Sequence, residues 1–315
     1  MQFLCILRAL CGEAFALDPR ESAAKPLISV LQLGTVDYAT GLRLQQQLVA
    51  LRKEEKIPDV LLLLEHKPVI TLGRNAKAAN VVASSELLAQ RGVELHECDR
   101  GGDVTFHGPG QLVGYPIFDL RSYASGTEKD YGAADAPVRR VSASSAERKH
   151  LGAVDFVRRL EEVLIRTSAD FAIAAKRIPG LTGVWTDPNP PSSSKALSSR
   201  AEQDESKNRL AQSRDLGFDV GPEAKLAAIG IHISRFVTSH GFALNVNPDL
   251  SYFNLIVPCG ITTKPVTSMQ QELGKALDLN NVAKSISRNF GVVFHSQMLW
   301  VESLDALFGR AVGVR

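Results

Sequence analysis

Asp99-Arg-Gly-Gly-Asp-Val-Thr-Phe-His-Gly-Pro-Gly-Gln111 is a glycine-rich, histidine-bearing turn between two runs that read as strands, Glu94–Cys98 and Gln111–Phe118. By itself it has a plain reading, a β-hairpin connection in which Gly101 and Gly102 supply positive φ. Its spacing excludes two common ligand loops. It holds no GxxxxGK[ST] for a nucleotide phosphate, and Gly108-Pro-Gly110 is not a dinucleotide fingerprint. Upstream, Val60-Leu-Leu-Leu-Leu-Glu65 is a short apolar run of the buried-strand kind, followed by a second strand at Pro68–Leu72. Asp37 to Lys56 reads as a helix, with Asp37 as N-cap and Leu44, Leu48 and Leu51 recurring at i, i+4 and i+7. Downstream, Val154, Val157, Leu160 and Leu164 form a helical stripe that places Arg158, Arg159, Glu161 and Glu162 on the wet side. Two strands follow around Leu226–Ile233 and His240–Val246, then a helix around Val282–Phe290. Strands and helices mix without regular βαβ alternation. The pattern predicts an α+β fold, a mixed sheet with flanking helices, rather than a doubly wound sheet.

Composition bounds the possibilities. At 315 residues the chain can bury a substantial core, and 44% hydrophobic with 22% charged residues is ordinary for a globular protein. A formal charge of +2 with no Lys/Arg block gives no footprint for nucleic acid, and no stretch reaches the ~18 apolar residues of a membrane span. Cys5, Cys11, Cys98 and Cys259 show no CxxC spacing, which points to a reducing compartment and a cytoplasmic protein. The seven histidines lack metal-ligand spacing, so no metal is expected. The first residues mimic a secretory signal, but Arg8 interrupts the apolar run and Glu13 sits beside the only cleavage-like site. Residues 1–26 are therefore expected to be a disordered extension ahead of one domain at 27–315. Within it, 122–150 and 187–222 are rich in Ser, Ala, charge and turn formers without apolar periodicity, and read as mobile insertions.

The chemistry centres on Cys259 in Leu255-Ile-Val-Pro-Cys-Gly260. Alone, a free cysteine is most often a small buried hydrophobe, and Cys98 is read as core on that ground. Lys225 alone is most often a solvated or strand-edge lysine, yet it stands before the small-residue run Ala227-Ala228-Ile229-Gly230. His107 and His240 read first as hydrogen-bonded structural imidazoles, and His107 is not assigned as a base.

Five motifs in order change these odds: RGGDVTFHGPGQ at 100–111, GVW at 183–185, KLAAIG at 225–230, SHGFALNVN at 239–247 and PCGI at 258–261. Together, from about Ile28 to about Asn289, they resemble the octanoyltransferase family. The resemblance implies the fold of the biotin and lipoate protein ligases, with the active site over one sheet face. It implies transfer of an octanoyl group from acyl carrier protein to a lysine of lipoyl domains, in 2-oxoacid dehydrogenase E2 subunits and the glycine cleavage H protein, without a cofactor. Cys259 is then the thioester-forming nucleophile, and Lys225 lowers its pKa and moves a proton. The substrate-lining residues are Arg100, Gly101, Gly102, Asp103, Val104, Thr105, Phe106, His107, Ala228, Ile229, Gly230, Gly241, Phe242 and Ala243. The two insertions stand where the family has short connections. The nearest rival is a ligase on the same fold that activates free lipoate with ATP; another is a carrier-binding protein that lost turnover.

Overall fold

The computed structural model describes residues 25–123, 150–188, 223–260 and 263–312; for Cys259 and residues 309–312 the description is of the backbone alone. The expected extension at 1–26 and the insertions at 122–150 and 187–222 lie almost wholly outside the described residues.

Val60–Leu64 is apolar at every position because both faces of its strand are covered. Leu61 and Leu63 enter one core, while Val60, Leu62 and Leu64 enter another on the opposite sheet face. In chain order the elements are β1 (Leu27–Val36), α1 (Tyr38–Lys53), β2 (Asp59–His66), β3 (Val69–Leu72), α2 (Ser85–Gln90), β4 (Glu94–Glu97), β5 (Val104–His107) and β6 (Gln111–Ile117). Then come α3 (Ala153–Asp170), β7 (Ala175–Ile178), β8 (Leu181–Thr186), β9 (Lys225–Ser234), β10 (Val237–Asn245), α4 (Met269–Leu273), α5 (Leu279–Val293), β11 (Gln297–Trp300) and α6 (Leu304–Val312). Among the described residues, eight strands form one mixed sheet in the order β11-β1-β2-β6-β10-β9-β8-β7, and β4-β3-β5 form a smaller one. Only the β11–β1–β2 pairings of the large sheet are parallel. This is the expected α+β architecture.

Helices α3 and α5 cover one face of the large sheet through Phe156, Leu160, Leu164, Ile286 and Phe290. Helices α1 and α6 pack on the other face through Leu48 and Leu307. The anticipated N-cap is in place, with Asp37 accepting from the Thr40 amide at 2.8 Å.

Three local expectations are corrected. The Arg100–His107 run is not a hairpin turn: Val104–His107 is itself a strand, antiparallel to β3, and the run crosses from the small sheet to the large one. Of its two adjacent glycines only Gly102 has positive φ, at 93°. The α3 stripe is shifted, with Val154 71% exposed and Arg159 and Glu161 buried. Val154 lies in the first turn, while Phe156, Leu160, Val163, Leu164 and Thr167 set the packed face. Arg159 is carried inside against the Phe294 ring at 5.6 Å. Cys98 is half-buried rather than core, its thiol donating to the Leu72 carbonyl at 3.3 Å.

Glu161 has a specific reason to be inside. Its carboxylate pairs with Arg158 at 2.8 Å and Arg177 at 3.1 Å, and accepts from the Gly183 amide at 3.2 Å. It thereby ties α3 to the start of β8. Glu161→Ala leaves that buried amide without its acceptor, and is expected to lower the unfolding free energy by about 1–3 kcal/mol in a denaturant titration. An unchanged midpoint and slope would contradict this role.

Candidate active site

The site begins with the register of β9 against β10. Ala227, Ile229, Ile231 and Ile233 point into the α3/α5 core, so Ala228 and Gly230 face the other way. The pairing sets Ala228 opposite Ala243 and Gly230 opposite Gly241, and β6 adds Val113 beside Ala243. One patch of the sheet therefore carries almost no side-chain bulk. Two of these glycines are demanded by close approach: a Cβ on Gly230 would lie 2.6 Å from the Gly101 carbonyl oxygen, and one on Gly241 2.1 Å from that of Gly114. Above the patch is a cavity of about 380 Å³. That volume suits a small ligand.

The glycine-rich run forms one wall. Arg100 holds it in place, its guanidinium donating to the Thr71 carbonyl at 2.7 Å and hydroxyl at 2.8 Å. Asp103 accepts from its own neighbour, the Val104 amide, at 2.8 Å, and from the Lys77 amide at 3.2 Å. Strand alternation then splits β5: Thr105 and His107 face the cavity, whereas Val104 and Phe106 enter a small core where Phe106 stacks on Tyr252 at 4.8 Å. Gly101 meets β9 through its main chain, its amide donating to the Ile231 carbonyl at 2.9 Å. So of the expected lining residues Arg100, Gly102, Asp103, Thr105, His107, Ala228, Ile229, Gly230, Gly241, Phe242 and Ala243 border the cavity, and Gly101, Val104 and Phe106 stand behind it.

Lys225 sits at the start of β9, 7% exposed and on the cavity wall. Its ammonium lies 5.1 Å from the centre of the Trp185 ring, a cation–π contact. Gly183 (φ 123°) makes room, since a Cβ there would come 3.1 Å from Lys225 Cε. The Pro258–Gly260 turn comes close to Asp103, on the wall formed by the glycine-rich run. Its approach is fixed by the Val257 amide donating to the Asn80 carbonyl at 2.7 Å. At Gly260 (φ 66°) a Cβ would stand 3.0 Å from Asp103 Oδ2. Only a few residues later the chain is bonded to Lys225 itself: the Lys225 amide donates to Pro265 at 2.8 Å, and the Thr267 amide donates to the Lys225 carbonyl at 3.0 Å. The segment that carries Cys259 is thus bonded on one side to Asn80, whose side chain donates to Asp103, and on the other to Lys225.

A model of the lipoyl protein ligase A/B catalytic domain matches residues 37–151 and 142–291. An octanoyltransferase of Koribacter versatilis is 54% identical over 281 residues, covering 89% of this chain and 90% of that one. One from Acidobacterium capsulatum is 49% identical, covering 88% and 94%. The chain belongs to the octanoyltransferase family. It is an acyltransferase that moves the octanoyl group in protein lipoylation. Its fold is also that of a lipoate protein ligase from Thermoplasma acidophilum, with a TM-score of 0.55 at 13% identity, covering 92% of this chain and 91% of that one.

Sequence reasoning did not single out Tyr38, Asn75, Tyr115 or Thr182, all of which border the octanoyltransferase cavity. A signal existed for Tyr115 alone: the β6 alternation puts it on the same face as Val113. Trp185 stands in the GVW motif, which by itself assigns it no role. Tyr115 belongs to a buried polar cluster behind the cavity. His66 Nδ1 donates to the Val36 carbonyl at 2.9 Å, so its Nε2 accepts from the Tyr115 hydroxyl at 2.6 Å. His107 Nδ1 donates to Gln111 Oε1 at 2.7 Å. Burial pushes His66 down to about 4 and, with the neighbouring His66, His107 down to about 3. Both are neutral at physiological pH. His107 is thereby a neutral, hydrogen-bonded imidazole on the wall.

The sign of the pH effect follows. A histidine whose folded pKa is depressed adds full stability above its unfolded value near 6.5, and loses it as pH falls toward the folded value. Between pH 6.5 and 5, before most carboxylates titrate, stability should fall by up to about 1.4 kcal/mol per pH unit for each such group. His107→Asn should flatten this slope in chemical unfolding at several pH values. An equal slope in the variant would show that His107 is not buried neutral.

Proposed function

We propose that Cys259 and Lys225 carry the octanoyl transfer. The supporting observation is that the segment carrying Cys259 is bonded to Asn80 just before its turn and to Lys225 a few residues beyond it, while Lys225 stands on the wall of the groove floored by Ala228, Gly230, Gly241 and Ala243. The Cys259 thiolate attacks the carbonyl carbon of the octanoyl thioester on acyl carrier protein. The carrier's sulfur leaves and takes up a proton, and an octanoyl thioester remains on Cys259. The lysine amine of a lipoyl domain then attacks this thioester, giving an amide and returning the cysteine thiol. Thioester to amide is downhill, so the reaction itself calls for no ATP and no cofactor.

Lys225 is suited to stabilise the thiolate. Its ammonium is removed from solvent, where a charge acts on a nearby thiol more strongly than in water, and the Trp185 ring supports it. The acceptors are lipoyl domains of 2-oxoacid dehydrogenase E2 subunits and the H protein. The setting is the cytoplasm; no helix among the described residues is long and apolar enough to cross a membrane. The segments at 122–150 and 187–222 are insertions to this catalytic domain.

Incubation with octanoyl-carrier protein should add one hydroxylamine-labile octanoyl group, seen by mass spectrometry and absent in Cys259→Ala. An adduct that persists in the variant assigns the nucleophile elsewhere. Lys225→Ala should raise the apparent thiol pKa in the alkylation rate profile and slow both half-reactions by about 10²-fold or more. Lys225→Arg retains charge without ready proton transfer, and so separates the two roles.

A further inference from the structure

The groove does not stop at Gly230 and Gly241. Along the same sheet face the next positions of the hairpin are His232 and Ser234 in β9 and Ser239 in β10. These line a second cavity of about 300 Å³, walled on the opposite side by Leu42, Val49 and other residues of α1. One imidazole, His240, belongs to the walls of both cavities.

Alternation along β10 would send His240 with Phe242 and Leu244 into the α3/α5 core. A left-handed φ of 55° accompanies its departure from that pattern. Its ring meets Tyr115 edge-on at 6.5 Å, and its Nε2 lies 2.6 Å from Asp99 Oδ1. Asp99 also reaches His232, at 3.6 Å. The His240 amide donates to Gln45 Oε1 of α1. Left-handed backbone at a non-glycine residue is costly and persists where the surroundings hold it. Here Asp99 grips the side chain and Gln45 the main chain.

We propose that His240 is a partition within one continuous acyl groove, and that it sets the length of the chain this enzyme transfers. The acyl tail runs over Ala228, Gly230, Gly241 and Ala243 and ends against the imidazole. A longer saturated chain would have to break the His240–Asp99 bond to advance, which costs more than burial of one further methylene returns. With the ring gone, the tail enters the second cavity against Leu42 and Val49. This inference rests on the acyl-transfer reading given above.

His240→Gly tests it, because glycine takes the left-handed φ without strain while removing the ring. Octanoyl- and dodecanoyl-carrier protein compete for transfer to a lipoyl domain, and the ratio of their kcat/KM values is read. His240→Gly should raise the dodecanoyl-to-octanoyl ratio by about tenfold or more. Adding Val49→Phe, which fills the second cavity, should bring the ratio back toward that of the unaltered protein. Asp99→Asn, at a side chain 57% exposed, loosens the same contact with little risk to folding. It should shift the ratio the same way by a smaller factor. A ratio unchanged in Asp99→Asn and in folded His240→Gly, with octanoyl transfer intact in the unaltered protein, overturns the partition alone. Absence of octanoyl transfer by the unaltered protein overturns the acyl-transfer reading, and the partition with it.

Discussion

The register between β9 and β10 is the constraint from which the site follows. Because Ala228 meets Ala243 and Gly230 meets Gly241, four consecutive same-face positions on two strands are all but empty of side chains. A shift of one residue would place Ile229 and Phe242 on that face and fill the groove. The register is locked from both sides of the sheet. The isoleucines of β9 are seated in the α3/α5 core, and the backbone of Gly101 and Gly114 comes too close to Gly230 and Gly241 to admit a Cβ.

A groove of this kind needs walls that do not collapse into it. The structure supplies hydrogen bonds rather than apolar bulk for that purpose. Arg100 bonds the glycine-rich run to Thr71, His107 is held by Gln111, and Gln111 in turn donates to Asn245 at 2.9 Å. Such a network is stiff when every member has a partner, and burial keeps its imidazoles neutral. Rigidity of the walls also fixes where Lys225 stands beside the groove.

Much of the fold was legible in the residues. The apolar run at Val60–Leu64, the N-cap at Asp37 and the alternation of β9 each have a local cause, and each stands where expected. The plain hairpin reading of the glycine-rich run fails because Val104–His107 pairs with β3, a long-range partner that no local pattern reveals. Glu161 and Arg159 were placed in solvent because single-residue polarity carries no information about Gly183 or Phe294, which come from distant segments. For the site, the small-residue run at 227–230 was visible, and Gly241 and Ala243 came with the family resemblance. Tyr38 was not, because its place on the wall depends on how α1 packs against the sheet, whereas Tyr115 follows from β6 alternation.

On the proposed mechanism the acyl chain carried by Cys259 lies over the bare patch of β9 and β10. A crystal structure of the protein after stoichiometric reaction with octanoyl-carrier protein measures this directly. Density is expected to run continuously from the Cys259 sulfur, over Ala228, Gly230, Gly241 and Ala243, and to end at the His240 ring. An octanoyl group attached elsewhere, or a chain directed away from that patch, would contradict it.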